Sequence, residues 1–170
     1  RCSNPCTAEV VDLDQDGHRD LLVSDLGTTT PSDVENGSVL WFRGGADGEF
    51  KVIPLAKGLG RVAHCQAADF DSDGDLDIVV AVFGWRKVGN ILLLENETTD
   101  ASSPKFTPYV LDPRPGAIHV PVADLDGDGD QDFVALISQH HETIVAFLND
   151  GSGGFRKETI FRATHPNWGA

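Results

Sequence analysis

Three short acidic stretches constrain this chain more than any other feature: DLDQDGHRD at 12–20, DFDSDGDLD at 69–77 and DLDGDGDQD at 124–132. Each reads DxDxDGxxD. The Asp residues at the first, third, fifth and ninth positions are Asp12, Asp14, Asp16 and Asp20, then Asp69, Asp71, Asp73 and Asp77, then Asp124, Asp126, Asp128 and Asp132. Four carboxylates around one point carry more like charge than a small volume tolerates without a hard cation. Gly17, Gly74 and Gly129 hold the sixth position, where a loop wrapping an ion turns sharply and an L-residue would be strained. His18, Asp75 and Asp130 complete the candidate metal sets at the seventh. Their variety points to the backbone carbonyl, not the side chain, as the group facing the ion.

A single copy would read as a solvated acidic turn, whereas three in register do not. The donors are all oxygen and numerous enough for the ~6 to 8 ligands that calcium accepts; magnesium demands a tighter octahedron, and no Cys and His cluster suggests zinc. The expected cofactor is calcium, up to three ions.

These loops are not EF-hands. The twelfth positions are Val23, Val80 and Ala135, so the bidentate Glu is missing. Each loop leads into LLVSDL, IVVAVF or FVALIS, β-branched, aromatic and short, which predicts strands on either side of the loop and not helices.

The loops begin 57 and 55 residues apart, a spacing typical of repeat architectures. Each loop is followed by an apolar strand, a variable connection and a second apolar strand (SVLWFR from Ser38, NILLLEN from Asn90, TIVAFLN from Thr143). A Gly, Asn or Pro-containing turn then leads to a third segment entered through Phe50, Phe106 or Phe155, and the chain passes into the strand before the next loop. Four strands per repeat with no amphipathic helix predict a four-stranded antiparallel sheet in tandem. The two middle strands are apolar throughout, as in sheets buried on both faces; Pro54 and Pro108 place the third segment at an outer edge. Radial stacking of such sheets is a β-propeller. The fold class is therefore all-β, about three four-stranded blades of a larger propeller.

The chain resembles FG-GAP or VCBS-type repeats, the blades of integrin α-subunit-like propellers. The resemblance rests on the three DxDxDGxxD loops, each leading into an apolar strand, and on VFG at 82–84; the GAP element has no match. It implies repeats at about 1–57, 58–114 and 115–163, with a fourth beginning at 164–170. Three blades are too few for a ring of the usual ~4 to 8, so the parent chain is expected to continue, with apolar faces on the terminal blades. The absence of Met points the same way.

The formal charge is −14, and 12 of the 27 acidic residues are the proposed ligand carboxylates. Such acidity excludes a nucleic-acid partner, which would need a basic face. No apolar run reaches the ~20 residues of a membrane span. Cys2, Cys6 and Cys65 are odd in number; a Cys2–Cys6 disulfide and three free thiols both fit. Asn36 and Asn96 open glycosylation sequons.

The loops lie at one end of the blades. Recognition is expected at the other, on GTTTPSDVEN at 27–36, GWRKVG at 84–89 and QHHE at 139–142. Trp85 and Arg86 are residue types found at interaction hot spots, or Trp85 packs on a neighbouring blade. His140 and His141 are candidate ligand contacts, or solvated loop residues. His64 and His119 stand five residues before their loops, where the first repeat has Thr7, and are expected to face the central channel together. No GxSxG, HExxH or phosphate-cradling loop is present. The reading is a calcium-binding module outside the cytosol, since extracellular calcium modules bind with a Kd of ~10⁻⁴ to 10⁻³ M. It would serve in recognition, adhesion or scaffolding, with a protein or carbohydrate ligand on the loop face. The alternative is the propeller of a polysaccharide-acting enzyme.

Overall fold

Each acidic loop turns the chain between two antiparallel strands, and three such units make up the described residues, 2–139 and 141–164, of the computed structural model. The first blade contains β1 (Pro5–Val11), β2 (Asp20–Asp25), β3 (Gly37–Gly44) and β4 (Phe50–Leu59). The second contains β5 (Val62–Ala68), β6 (Asp77–Val82), β7 (Asn90–Asn96) and β8 (Phe106–Asp112). In both, the strands lie in sequence order across the sheet. The third contains β9 (Ala117–His119), β10 (Val122–Ala123), β11 (Asp132–Ile137), β12 (Thr143–Asn149) and β13 (Phe155–Arg162). The described residues contain no helix, and the arrangement is β-propeller-like.

Five strands in the third sheet, where four are expected, trace to Pro121. It has no amide to donate and interrupts the inner strand, so β9 and β10 pair separately with β11. The start of the expected fourth repeat, with His165, falls at 165–170, outside the described residues.

Side chains alternate across a strand, so a strand between two blades must be apolar at every position. β6 satisfies this: Ile78, Val80 and Val82 pack with Leu22, Val39 and Trp41 of the first blade, while Val79 and Ala81 pack with Phe133, Ala135 and Phe147 of the third. These five of the six β6 residues are at most 1% exposed. Each large apolar side chain so buried contributes about 1.5–3 kcal/mol. The outer strands β4 and β13 are mostly exposed and β8 is exposed at its middle, and Pro54 and Pro108 sit in β4 and β8 opposite Leu40 and Leu94.

The second residue of each of the first two acidic loops wedges against the following blade. Leu13 is 4% exposed and Phe70 is buried completely, whereas Leu125, with no following blade among the described residues, is 43% exposed. Val10, Leu21, Phe42 and Val52 form one row across the far face of the first blade; its ends, Val10 and Val52, are exposed. Ile160 and Phe161 are exposed on the third blade.

The inner strands are laced by side-chain to backbone hydrogen bonds. Ala67 N–H donates to Glu9 Oε2 at 2.9 Å, and Val122 N–H donates to Gln66 Oε1 at 3.0 Å. Glu9 and Gln66 stand three residues before their loops; in the third blade Pro121 takes that place.

The FG element has a steric basis. Gly84 has φ +60°, and a Cβ there would lie 1.1 Å from Val88 O. Its carbonyl accepts both Nε and Nη2 of the buried Arg61, at 3.0 and 2.5 Å, and Arg61 lies 4.6 Å over the Phe83 ring. Gly84→Ala is expected to destabilise the protein by at least ~2 kcal/mol, because both backbone conformation and space oppose it. Gly48→Ala, also at positive φ but with nothing within 4 Å of the added Cβ, is expected to cost only ~1 kcal/mol. Urea unfolding of the two variants checks the difference.

Candidate metal centres

The three acidic loops share one internal hydrogen-bond pattern. The first Asp reaches across to the sixth-position amide: Asp12 to Gly17 at 3.0 Å, Asp69 to Gly74 at 3.1 Å and Asp124 to Gly129 at 3.2 Å. The fifth Asp accepts the seventh-position amide, as Asp16 does from His18, Asp73 from Asp75 and Asp128 from Asp130. Gly17, Gly74 and Gly129 have φ between +88° and +99°, a region closed to most L-residues.

The ninth Asp has a role that the motif alone does not reveal. Asp20 accepts Leu13 N–H at 2.9 Å with one oxygen and Gly44 N–H at 2.7 Å with the other. Asp77 accepts from Phe70 and Asn96, at 3.3 and 2.8 Å, and Asp132 from Leu125 and Asn149, at 2.8 and 2.7 Å. Each carboxylate is at most 2% exposed and ties the loop to the end of the blade's third strand. The legible trace of this was the recurring polar or Gly residue at that strand end: Gly44, Asn96 and Asn149.

Ligand oxygens of Asp12, Asp14 and Asp20 lie within 4.8 Å of one another, as do those of Asp69, Asp71 and Asp73, and those of Asp124, Asp126 and Asp132. Several are buried without a donor, among them Asp14 Oδ1 and Asp69 Oδ1. Arg43 lies 2.6 Å from Asp14 Oδ2 and 3.3 Å from Asp16 Oδ2. Burial pushes the Asp14 carboxyl up, Arg43 opposing and its carboxylate neighbours reinforcing. Burial, then the Asp73, Asp71 and Asp69 charges, push Asp75 up to about 6. Burial pushes Asp77 up to about 7 against its two amide hydrogen bonds. Asp126 and Asp130 are raised by burial and by their fellow carboxylates. Crowded, partly desolvated oxygen donors with unfilled lone pairs suit a hard divalent cation.

At the seventh position, His18, Asp75 and Asp130 lie outside these groups. Asp75 instead lines a cleft toward the first blade and hydrogen-bonds Asn96. The Asn96 amide is engaged twice within the protein, donating to Leu76 O and accepting from Thr98 N–H. The GGADGEF and GSGGF turns close their hairpins through Gly45 N–H to Glu49 O and Asp150 N–H to Gly154 O.

At the opposite end, Asp33 of the first blade's long loop docks on the GWRKVG loop. Its Oδ1 accepts the amides of Arg86, Lys87 and Val88 at 2.9, 3.0 and 3.3 Å. The Lys87 and Arg86 amides hold the Asp33 carboxyl below the usual range. Trp85 is half-buried, with the Arg86 guanidinium 5.6 Å over its ring. His141 is half-buried and its amide donates to Gln139 O; His140 lies outside the described residues. His64 and His119 come together with ring centroids 4.3 Å apart. His64 Nδ1 accepts Val120 N–H at 3.3 Å, and burial, then the His119 charge, lower its pKa to about 4. At the equivalent place Thr7 Oγ1 meets Ser24 Oγ at 2.6 Å. Cys2, Cys6 and Cys65 are free thiols, with Cys65 buried.

Residues 8–80, from β1 through the second acidic loop into β6, match the family model of the FG-GAP-like repeat. No curated protein matches the chain.

Two outcomes are expected from this geometry. Asp132→Asn, studied in excess chelator, is expected to destabilise by about 2–3 kcal/mol, because one amide donor must face the new NH₂ group. Asp128→Asn under the same conditions should change stability little. Urea unfolding distinguishes them. His64 concerns pH: its folded pKa lies below its unfolded one, so the unfolded chain takes up the proton first. Stability is then lost as pH falls from about 6.5 toward 4. His64→Gln, which keeps an acceptor for Val120, should flatten that part of the profile in calcium-containing buffer.

Proposed function

We propose that this FG-GAP-like repeat protein is a calcium-fastened, propeller-type module that works outside the cytosol in recognition or scaffolding. The observation carrying the calcium reading is the grouping of carboxylate oxygens within 4.8 Å of one another in three equivalent loops, with Asp14 Oδ1 of the first and Asp69 Oδ1 of the second buried without a donor. The first site would be held by Asp12, Asp14, Asp16 and Asp20, the second by Asp69, Asp71, Asp73 and Asp77, and the third by Asp124, Asp126, Asp128 and Asp132. The seventh-position carbonyls of His18, Asp75 and Asp130 would complete each shell. Calcium supplies charge neutralisation there; no bond is made or broken. Its effect is mechanical, because the same loops carry Leu13 and Phe70 into the next blade and, through the ninth Asp, hold the third strand.

Sites of this ligand type commonly bind calcium at ~10⁻⁴ to 10⁻³ M outside cells, which supports the extracytoplasmic assignment. Leu125, Ile160 and Phe161 at one end and Val10 and Val52 at the other are where further blades of a parent chain would pack. A protein or carbohydrate ligand would be met on the face opposite the calcium loops, where Asp33 clasps the Trp85 and Arg86 loop.

Thermal unfolding tests the calcium reading. Calcium at ~100 times Kd adds about 2.7 kcal/mol per site, so Tm is expected to rise by several degrees and chelator to reverse it. Asp73→Ala and Asp128→Ala are each expected to remove roughly one site's share. An unchanged calcium response in both variants overturns the ligand assignment.

A further inference from the structure

Between the first two acidic loops lies a cavity of about 300 Å³. Leu13, Asp14 and Trp41 wall it from the first blade, and Asp75, Asn96 and Phe106 from the second. Gln15 Nε2 crosses to Gly74 O at 2.7 Å at its rim. Apart from the Asp14 oxygens, which belong to the first carboxylate group, two polar atoms in this wall are buried with nothing to bond: the indole Nε1 of Trp41, a residue 1% exposed, and Asp75 Oδ1. A buried donor without a partner is costly, and an explanation for it is needed.

The repeat itself does not require this indole. Trp41 stands opposite Leu22, and the corresponding residue of the second blade, opposite Val79, is Leu93. Leu93 lines the matching cleft between the second and third blades, of about 320 Å³, and brings no polar atom to it. The unpaired N–H is therefore particular to the first cleft.

We infer that this cleft binds a neutral polyhydroxyl ring, a single sugar unit, through Trp41 Nε1 and the Asp75 carboxylate. An ammonium group carries donors only and would leave the indole N–H unpaired; an anion would be repelled by Asp75. A hydroxyl both donates and accepts, so vicinal hydroxyls satisfy the indole and the carboxylate together. Leu13 and Phe106 offer the apolar surface that the C–H face of a sugar ring covers. Asp14 adds no free charge, since Arg43 pairs with it at 2.6 Å. The volume stands at the lower end for small-molecule sites, which fits one ring and not a chain. The inference does not depend on which cation the loops hold, since neither Trp41 nor the Asp75 side chain belongs to the grouped carboxylates.

The test is an NMR titration of the full chain in calcium buffer with glucose, galactose and mannose in turn, following the Trp indole N–H resonances. At least one sugar is expected to shift one indole signal saturably with a millimolar Kd, about −4 kcal/mol or weaker. That signal should be missing in Trp41→Phe, and Trp41→Phe and Asp75→Asn should each weaken binding by ~10-fold or more. No saturable shift up to ~50 mM of any of the three, or undiminished binding in Trp41→Phe, overturns the proposal. A saturable response to methylammonium chloride but to no sugar overturns it in favour of an amine site. Asp75→Asn decides the matter if Trp41→Phe fails to fold. Calcium titration of the same samples reports separately on the loops, so failure of that reading is told apart from failure of this one.

Discussion

The buried ninth carboxylate of each acidic loop is the contact on which the remaining structure depends. Asp20, Asp77 and Asp132 each accept one amide from the loop's own second residue and one from the end of the third strand. A carboxylate that accepts backbone N–H with both oxygens makes charge-assisted bonds, and losing it would strand two amides in a dry place. It therefore sets the loop's path at the same time as the register of the third strand. Because the loop's second residue is one of the two donors, the same bond aims Leu13 and Phe70 at the next blade.

That arrangement couples a polar site to an apolar core. Phe70 sits with Phe133 and Phe155, ring centroids 6.2 and 5.5 Å away, and its carbonyl accepts Asn149 Nδ2 and Gly153 N–H of the third blade. Anything that reshapes the second loop must move this aromatic cluster. On the calcium reading, an ion in the loop would be felt as blade-to-blade rigidity, without any change in secondary structure. The inner strands add a second set of ties, with Glu9 and Gln66 reaching the next blade's amides at 2.9 and 3.0 Å. The first ends of both series are satisfied; Leu125 and Pro121 are their open ends in the third blade.

The two faces of the module differ in how their polar groups are used. On the loop face, carboxylates are crowded and partly without donors, and Asp14, Asp75, Asp77, Asp126 and Asp130 are raised in pKa by burial and by neighbouring carboxylates. On the opposite face, Asp33 is held by three consecutive amides and its carboxyl lies below the usual range. That face is closed upon itself, and His64, whose Nδ1 already accepts Val120 N–H, serves as a tie between blades.

Much of this was legible from residues alone. DxDxDGxxD at 57 and 55-residue intervals determined the repeat, because the turn needs Gly at its sixth position and the carboxylates need one centre. Uninterrupted apolar runs such as IVVAVF determined a strand buried on both sides, since alternate side chains must all find cover. Pro54 and Pro108 determined the outer edge. Tertiary structure alone decided the rest. The double amide bond of the ninth Asp joins residues 24, 19 and 17 positions apart, and no local pattern reports such a contact. The same holds for Asp75 turning from its loop into the cleft, for the unpaired Trp41 indole, and for Pro121 dividing an inner strand. Each depends on which side chain a neighbouring blade brings within a few ångströms, and a linear sequence does not carry that distance.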